Sequence, residues 1–293
     1  MPAPRNQKKN VGVIGLGIIG SRVASGLRQA GFQSFVWNRT PKPVANFLGS
    51  AVEVAELCEV IQLFVADGAA VMEMIDLLRP ALTAQHIIVC NASIGLDATL
   101  EAAKKVRQLG ASFLDAPFTG SKGAAEKRQL VYYVGGDEEV FLRAKAILEA
   151  TSKAVLRVGD IGQAAVIKIV TNLISATTAQ TLAEAFAIVK RSGIQPEALV
   201  HAIELNAMRS GVTDLKLPKM IASDYEPHFS VKHMFKDVKL GIQLANKLDL
   251  EVPATSCVAG VLFSAISRGW GDLDYAALAK TYETPTPPAT VAP

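Results

Sequence analysis

In the mostly apolar run GQAAVIKIVTNLISA, from Gly162 to Ala176, the most polar interruptions in the middle are Lys168 and Asn172. They lie four residues apart, so a helix carries them on one face. An ammonium beside an amide on such a face has two readings. One is a solvated stripe on which the lysine snorkels to water. The other is a catalytic pair: a group that gives and takes a proton, and an amide that holds its partner. Spacing alone favours the stripe.

A second candidate stands near the start. Gly15-Leu16-Gly17-Ile18-Ile19-Gly20 is a GxGxxG sequence. It directly follows an apolar strand and opens a helical stretch, which is the context such a motif needs to bind a dinucleotide. The first glycine permits a tight turn, the second lets a pyrophosphate approach the backbone, and the third lets helix and strand pack closely. The helix N-terminus then turns its N–H groups to the phosphates. An NAD site carries Asp or Glu about 20 residues on, to hold the ribose 2′-hydroxyl. Here the stretch reads Trp37-Asn38-Arg39-Thr40. A neutral Asn38 does not repel a 2′-phosphate, Arg39 can pair with one, and Thr40 adds a hydroxyl. The expected cofactor is therefore NADP(H) rather than NAD(H). The alternative is that Arg39 is an ordinary surface arginine. Val65 and Ala66 after the third strand and Ser93 after the fourth complete the expected cofactor contacts.

The elements that must position these residues follow from hydrophobic periodicity. NVGVIGLG (10–17), SFVWN (34–38), VIQLFV (60–65), HIIVC (86–90) and ASFLD (111–115) read as strands, mostly separated by helical stretches. Alternating βα units imply a doubly wound parallel sheet of the Rossmann type. LVYYVGG (130–136) and AVLRVGD (154–160) read as its late strands. Beyond residue 160 strand signals stop. A long helix over Ile161–Ser192 ends at Gly193, Pro196 opens the next, and further helices are expected near Lys232–Leu248 and Pro253–Arg268, with Gly269 as a stop. The expected organisation is a dinucleotide-binding domain over 10–160 and an all-α domain over 161–284. Residues 1–9 and the Pro/Thr/Ala-rich 285–293 are expected to be disordered. The long helix begins where the sheet domain ends, so Lys168 should face the cofactor.

Bulk properties narrow the function classes. The 293 residues are 50% hydrophobic and 19% charged, with a net charge of +3, and the mean hydropathy is +0.27. Three of the positive charges fall in the first ten residues, which hold no acid. The remainder is near neutral, so nucleic acid is not an expected partner. No apolar run reaches membrane-spanning length, and the leader lacks the apolar segment of a signal peptide. Cys58, Cys90 and Cys257 are far apart and odd in number, which points to a reducing compartment, the cytoplasm, without disulfides or a metal site. Cys90 reads as a small buried hydrophobe, Trp37 and Trp270 as packing, and Asp67 and Asp160 as capping or loop carboxylates. His86, His201, His228 and His233 show no metal spacing.

Taken together and in order, VGVIGLGIIG, DAPFTGSKGAAE (115–126), GQAAVIKIVTN (162–172), FSVKHMFKD (229–237) and GWGDLDYAAL (269–278) resemble the β-hydroxyacid dehydrogenase family over residues 10 to 284. Gly120-Ser121-Lys122 and WNRT look most like its glyoxylate/succinic semialdehyde reductase branch. The resemblance implies that Lys168 is the catalytic lysine and that Asn172 contacts the substrate or orients that lysine. It places Thr119, Gly120 and Ser121 in the loop that holds the substrate carboxylate, Phe229 and Asp237 in the substrate pocket, and Lys236 on the cofactor. It also implies a homodimer or homotetramer. Two positions depart from the family pattern. Thr119 stands where serine is usual, and Ile94 replaces a threonine near the nicotinamide, which makes an apolar site the expectation there.

The chemistry needs such a lysine. Reduction of a carbonyl puts negative charge on its oxygen, which an ammonium stabilises and protonates. Partial burial lowers a lysine pKa, so the neutral amine can take the proton back in the oxidative direction. The reading is thus an NADPH-dependent oxidoreductase that interconverts small aldehyde or keto acids and hydroxy acids. Two alternatives stand beside it. An imine reductase shares the two-domain plan but usually carries Asp or Tyr at the lysine position. A non-catalytic NADP-binding protein would need no lysine at all.

Overall fold

The computed structural model describes residues 10–283. Both segments expected to be disordered, 1–9 and 285–293, lie outside the described residues. Two compact units divide the chain, the first ending at Ile169 and the second beginning at Val170.

The first unit is built on β1 (Asn10–Ile14), α1 (Gly20–Gln29), β2 (Gln33–Trp37), α2 (Ala51–Leu57), β3 (Val60–Leu63), α3 (Gly68–Leu78), β4 (Ile87–Cys90), α4 (Leu96–Gln108) and β5 (Ser112–Asp115). The pairs β1–β2, β1–β3, β3–β4 and β4–β5 are all parallel. The order β2-β1-β3-β4-β5 reverses direction at β1, so the loop after β1 opens at a topological switch point. Each strand is apolar on both sides because each side meets a helix layer. Val11, Val13, Ile87 and Val89 join a core with Val23 and Leu27 of α1. Their neighbours Ile14, Ile61, Leu63 and Ile88 join a second core with Val54, Val71 and Val106 of α2, α3 and α4.

After β5 the chain reverses. β6 (Phe118–Thr119), α5 (Lys122–Glu126), β7 (Leu130–Gly135), α6 (Glu138–Glu149) and β8 (Ser152–Gly159) complete the unit. β7 runs antiparallel to β5 and β6, and α6 returns the chain so that β8 lies parallel to β7. The expected all-parallel extension is therefore a mixed one. The chain between β5 and β7 is spent on β6, which itself pairs antiparallel with β7, and on the five-residue α5, so no long helix carries it back across the sheet.

The second unit is helical: most of α7 (Gln163–Arg191), then α8 (Pro196–Glu204), α9 (Gly211–Ala222), α10 (Val231–Lys247), α11 (Pro253–Ser267) and a 3₁₀ segment, Tyr275–Tyr282. Pro196 occupies the first turn of α8, where its missing N–H costs nothing. Gly193 and Gly269 follow α7 and α11 with φ of 74° and 81°, which glycine adopts without strain. The core joins Ala176, Ala179 and Ala183 of α7 to Met234 and Val238 of α10 and Val258 and Leu262 of α11. The unit boundary falls within α7, further along than residue 160, where the strands end. Ile161 packs into the sheet core and the first turn of α7 is bonded to β5, so the start of the helix stays with the sheet. No helix among the described residues is long and apolar enough to cross a membrane.

Candidate active site

The glycine loop divides its labour as the three positions require. Gly15 has φ 94°, and a Cβ there would lie 2.2 Å from the Phe64 carbonyl oxygen. A Cβ on Gly20 would lie 1.9 Å from the Gly15 oxygen. These two glycines are needed for the turn and for packing. Gly17 differs: it is exposed, and a Cβ would meet nothing within 4 Å. Its backbone borders open space in front of α1, whose N-terminus has no side-chain cap. Ile18 beside it is half-exposed, Leu16 is buried, and Ile19 packs on the sheet core.

The WNRT side chains are placed less uniformly than expected. Asn38 Oδ1 accepts the Leu16 N–H at 2.8 Å, and its Nδ2 donates to the Thr40 carbonyl oxygen at 2.8 Å. Asn38 thus braces the glycine loop. Lys42 donates to the Leu16 carbonyl oxygen and grips the same residue from the other side. Arg39 is largely exposed and pairs with Glu73 Oε2 of α3 at 2.5 Å. Thr40 is exposed, Val65 is half-buried, and Ala66 is exposed. Asp67 caps α3 by accepting the Ala70 N–H at 2.9 Å.

The ends of β4 and β5 carry the next group. Asn91 is buried and donates to the Ala116 carbonyl oxygen at 2.8 Å. Ser93 is half-buried, but Ile94 is only 6% exposed and belongs to the sheet core. Thr119 ends β6 and Gly120 has φ 131°. Ser121 takes the N-cap position of α5 without a side-chain cap bond, and Lys122 opens that helix. Burial pushes the Cys90 thiol up to about 12, which keeps it an unreactive hydrophobe.

Lys168 is buried in the second turn of α7 at 9% exposure, so the solvated stripe does not describe it. Asn172, one turn on, is 7% exposed. In the second unit Asn172 Nδ2 donates to Asp237 Oδ2 at 2.5 Å, and Lys236 Nζ lies 3.1 Å from Asp237 Oδ1. Three of the expected residues are thereby brought together. The close approach comes from Gly241, one turn after Asp237: a Cβ there would lie 2.6 Å from Leu173 Cδ2. Phe229 stacks near His233 and Tyr275. His233 bonds Ser230 Oγ through Nδ1 at 2.7 Å, and burial, then Lys236 and Lys232, push its pKa down. His86 is structural, bonded to the Ala55 carbonyl oxygen and to Thr83, and His201 is exposed.

Comparison with known proteins settles the family. Residues 10–159 match the model of the NAD-binding domain of 6-phosphogluconate dehydrogenase, and residues 162–282 match that of the NAD-binding region of NADP-dependent 3-hydroxyisobutyrate dehydrogenase. The 2-hydroxy-3-oxopropionate reductase of Escherichia coli K12 is 30% identical over 284 residues, covering 93% of this chain and 97% of its own. The chain belongs to the β-hydroxyacid dehydrogenase family. Among the relatives of this hydroxyacid dehydrogenase is the chloroplastic glyoxylate/succinic semialdehyde reductase 2 of Arabidopsis thaliana. It is 28% identical over 279 residues, covering 92% of this chain and 78% of its own. The fold is shared with the Mycobacterium tuberculosis 3-hydroxyisobutyrate dehydrogenase solved with L-serine, at a TM-score of 0.85, 23% identity and coverage of 94% and 99%.

As a β-hydroxyacid dehydrogenase the protein is an oxidoreductase that uses a nicotinamide dinucleotide. The glycine loop fits that group: Gly17 leaves a space that any Cβ would fill, directly before an uncapped helix N-terminus.

Several residues of this hydroxyacid dehydrogenase were not singled out from sequence. Asp115 ends β5, is 2% exposed, and accepts the Ala165 N–H of α7 at 3.0 Å. Burial raises its pKa against the pull of N–H donors from Ala165, Gly162 and Ala164. Its place at the head of DAPFTG was a usable signal. Asp274 had a like signal, its place within GWGDLDYAAL, whereas Lys216 had none. They form a buried ion pair at 2.7 Å, and Asp274 Oδ2 also accepts the N–H groups of His228 and Phe229 at 2.9 and 3.1 Å. Burial lowers the Lys216 pKa and Asp274 opposes the shift.

Proposed function

We propose that the protein is an NADPH-dependent reductase of small aldehyde or keto acids, with Lys168 as the general acid. The observation that carries this reading is the buried ammonium of Lys168 with Asn172 one turn further on the same helix, the amide held by Asp237. A site that must neutralise a developing alkoxide gives such an ammonium a use.

Gly15, Leu16, Gly17, Ile18, Ile19 and Gly20 hold the pyrophosphate. Asn38 shapes the loop, Arg39 and Thr40 receive the 2′-phosphate, and Val65, Ala66, Ser93 and Lys236 complete the dinucleotide contacts. When bound, the dihydronicotinamide supplies the hydride. Thr119, Gly120 and Ser121 hold the substrate carboxylate with hydroxyl and backbone N–H groups. Phe229 and Asp237 bound the substrate pocket. Lys168 Nζ donates its proton to the carbonyl oxygen during reduction and accepts the alcohol proton in the reverse direction. Asn172 fixes the position of the oxygen or of the ammonium. Residues 10–160 form the dinucleotide-binding domain and 161–284 the substrate and oligomerisation domain. The exposed Ile174 and Ile188 on α7 support a homodimer or homotetramer, and the composition supports a cytoplasmic location.

The experiment is NADPH oxidation, followed by absorbance with glyoxylate and with succinic semialdehyde, for wild type and Lys168→Ala, with NADH in parallel. Turnover that prefers NADPH and is lost in the variant supports the reading. Equal turnover by the variant overturns it.

A further inference from the structure

We propose that Asp115 is a positioning residue for the reaction: its carboxylate ties the first turn of α7, and with it Lys168, to the end of β5, where the substrate loop begins. The inference rests on the reading of Lys168 as the general acid. Three observations within the first unit carry it.

The bond differs in kind from the local caps of this unit. Three of its helices, α2, α3 and α6, are capped locally: Ser50 accepts from Glu53, Asp67 from Ala70 and Asp137 from Val140. Such caps stabilise a helix end but fix it to nothing else. Asp115 lies 50 residues from Ala165, and its bond joins a strand of the central sheet to a helix. Asp115 Oδ2 accepts the Ala165 N–H, one of the donors that a helix start leaves unpaired, and the N–H groups of Gly162 and Ala164 also favour the charged form of this carboxylate.

The chain is shaped around this carboxylate. A Cβ on Gly135, the residue paired with Asp115 across the sheet, would lie 2.3 Å from Asp115 Oδ1. Gly159 and Gly162 have φ of 138° and 95°, which turn the strand β8 tightly into α7. Larger residues at these positions would push the helix start away from the sheet.

The position matches the chemistry. Lys168 is three residues after Ala165, one turn along the helix, and Thr119 is four residues after Asp115. The proton donor and the substrate-carboxylate loop thus share one rigid fixture. A neutral local cap would satisfy the helix end without burying a charge. The burial of a carboxylate here is explained by the need to hold two functional segments in register, since misplacement by about 1 Å can cost about 100-fold in rate.

The test compares Asp115→Ala, Asp115→Asn and, as a local-cap control, Asp137→Ala, alongside Lys168→Ala. Each full-length variant is assayed for kcat and KM with glyoxylate and NADPH, for NADPH affinity by fluorescence, and for thermal midpoint. Rates are normalised to the NADPH-binding fraction. The expected result is a kcat lower by about 100-fold in Asp115→Ala and by about tenfold in Asp115→Asn, which keeps one acceptor oxygen. NADPH affinity should stay within about twofold, because the glycine loop is built independently. Asp137→Ala should lower the midpoint and leave kcat unchanged. Wild-type kcat in the NADPH-binding fraction of both Asp115 variants, with a lowered midpoint, would make Asp115 a plain structural cap and overturn the proposal. If Asp115→Ala does not fold, Asp115→Asn decides. Wild-type kcat in Lys168→Ala would sink the lysine reading itself, a result separate from an inactive Lys168→Ala beside a fully active Asp115→Asn.

Discussion

If Arg39 receives a 2′-phosphate as proposed, its ion pair with Glu73 bears on cofactor preference. The pair is solvent-exposed on both sides, so it is weak and a dianionic phosphate can displace the carboxylate. Glu73 then has two opposed effects. It holds Arg39 at the end of β2, and its own charge repels a 2′-phosphate. For exposed groups the repulsion is modest, and the expected outcome for Glu73→Gln is a rise in the NADPH-over-NADH ratio of kcat/KM by about three- to fivefold. Steady-state rates with both cofactors check it, and a falling ratio would show that Glu73 acts mainly as a support for Arg39. Glu73 was not legible from sequence, because it lies 34 residues from Arg39 and on another element. Asn38 was legible as part of the cofactor end of the sheet. Its partner was not: a short amide can turn to a ribose or to its own loop, and here it takes the Leu16 N–H.

At the scale of elements, the glycine loop separates binding from folding. Gly17→Ala adds a methyl group to open space, so the thermal midpoint without cofactor should stay at the wild-type value while NADPH binding weakens by about tenfold or more. Gly20→Ala drives a methyl group into the Gly15 oxygen and should lower stability by about 1–3 kcal/mol in denaturant unfolding. The reverse pattern would refute this division. In the helical unit, Asp274 holds Lys216, the backbone of His228 and Phe229, and Ala276. Asp274→Ala leaves a buried ammonium unpaired and should cost about 3–5 kcal/mol, read by urea unfolding, with Lys216→Met in the same chain recovering part of the loss. A cost below about 1 kcal/mol would contradict it. The elements themselves were largely legible. The βα alternation of the first half and the span of α7 follow from periodicity, and Gly193 and Gly269 mark real helix ends. The antiparallel turn of β7 was not legible, because an apolar strand looks alike in either direction. The distant partners of Asp274 were not legible either, since they come from segments far away in sequence.

For the whole molecule, the division of the chain within α7 gives Lys168 to the sheet unit and Asn172 to the helical unit. Within the sheet unit Asp115 bonds the first turn of the helix, and within the helical unit Asp237 bonds Asn172. Sequence motifs showed that these residues belong to one family plan. The anchors beneath them became visible only in three dimensions, since each joins residues fifty or more positions apart. The proposed function stands or falls with the buried ammonium of Lys168 as the proton donor. The measurement that tests it most directly is the single-turnover rate of NADPH oxidation with glyoxylate, for wild type and Lys168→Ala at saturating cofactor. The expected result is a loss of about 10²- to 10⁴-fold in the variant, with NADPH affinity retained. A variant that binds NADPH and oxidises it at the wild-type rate would contradict it.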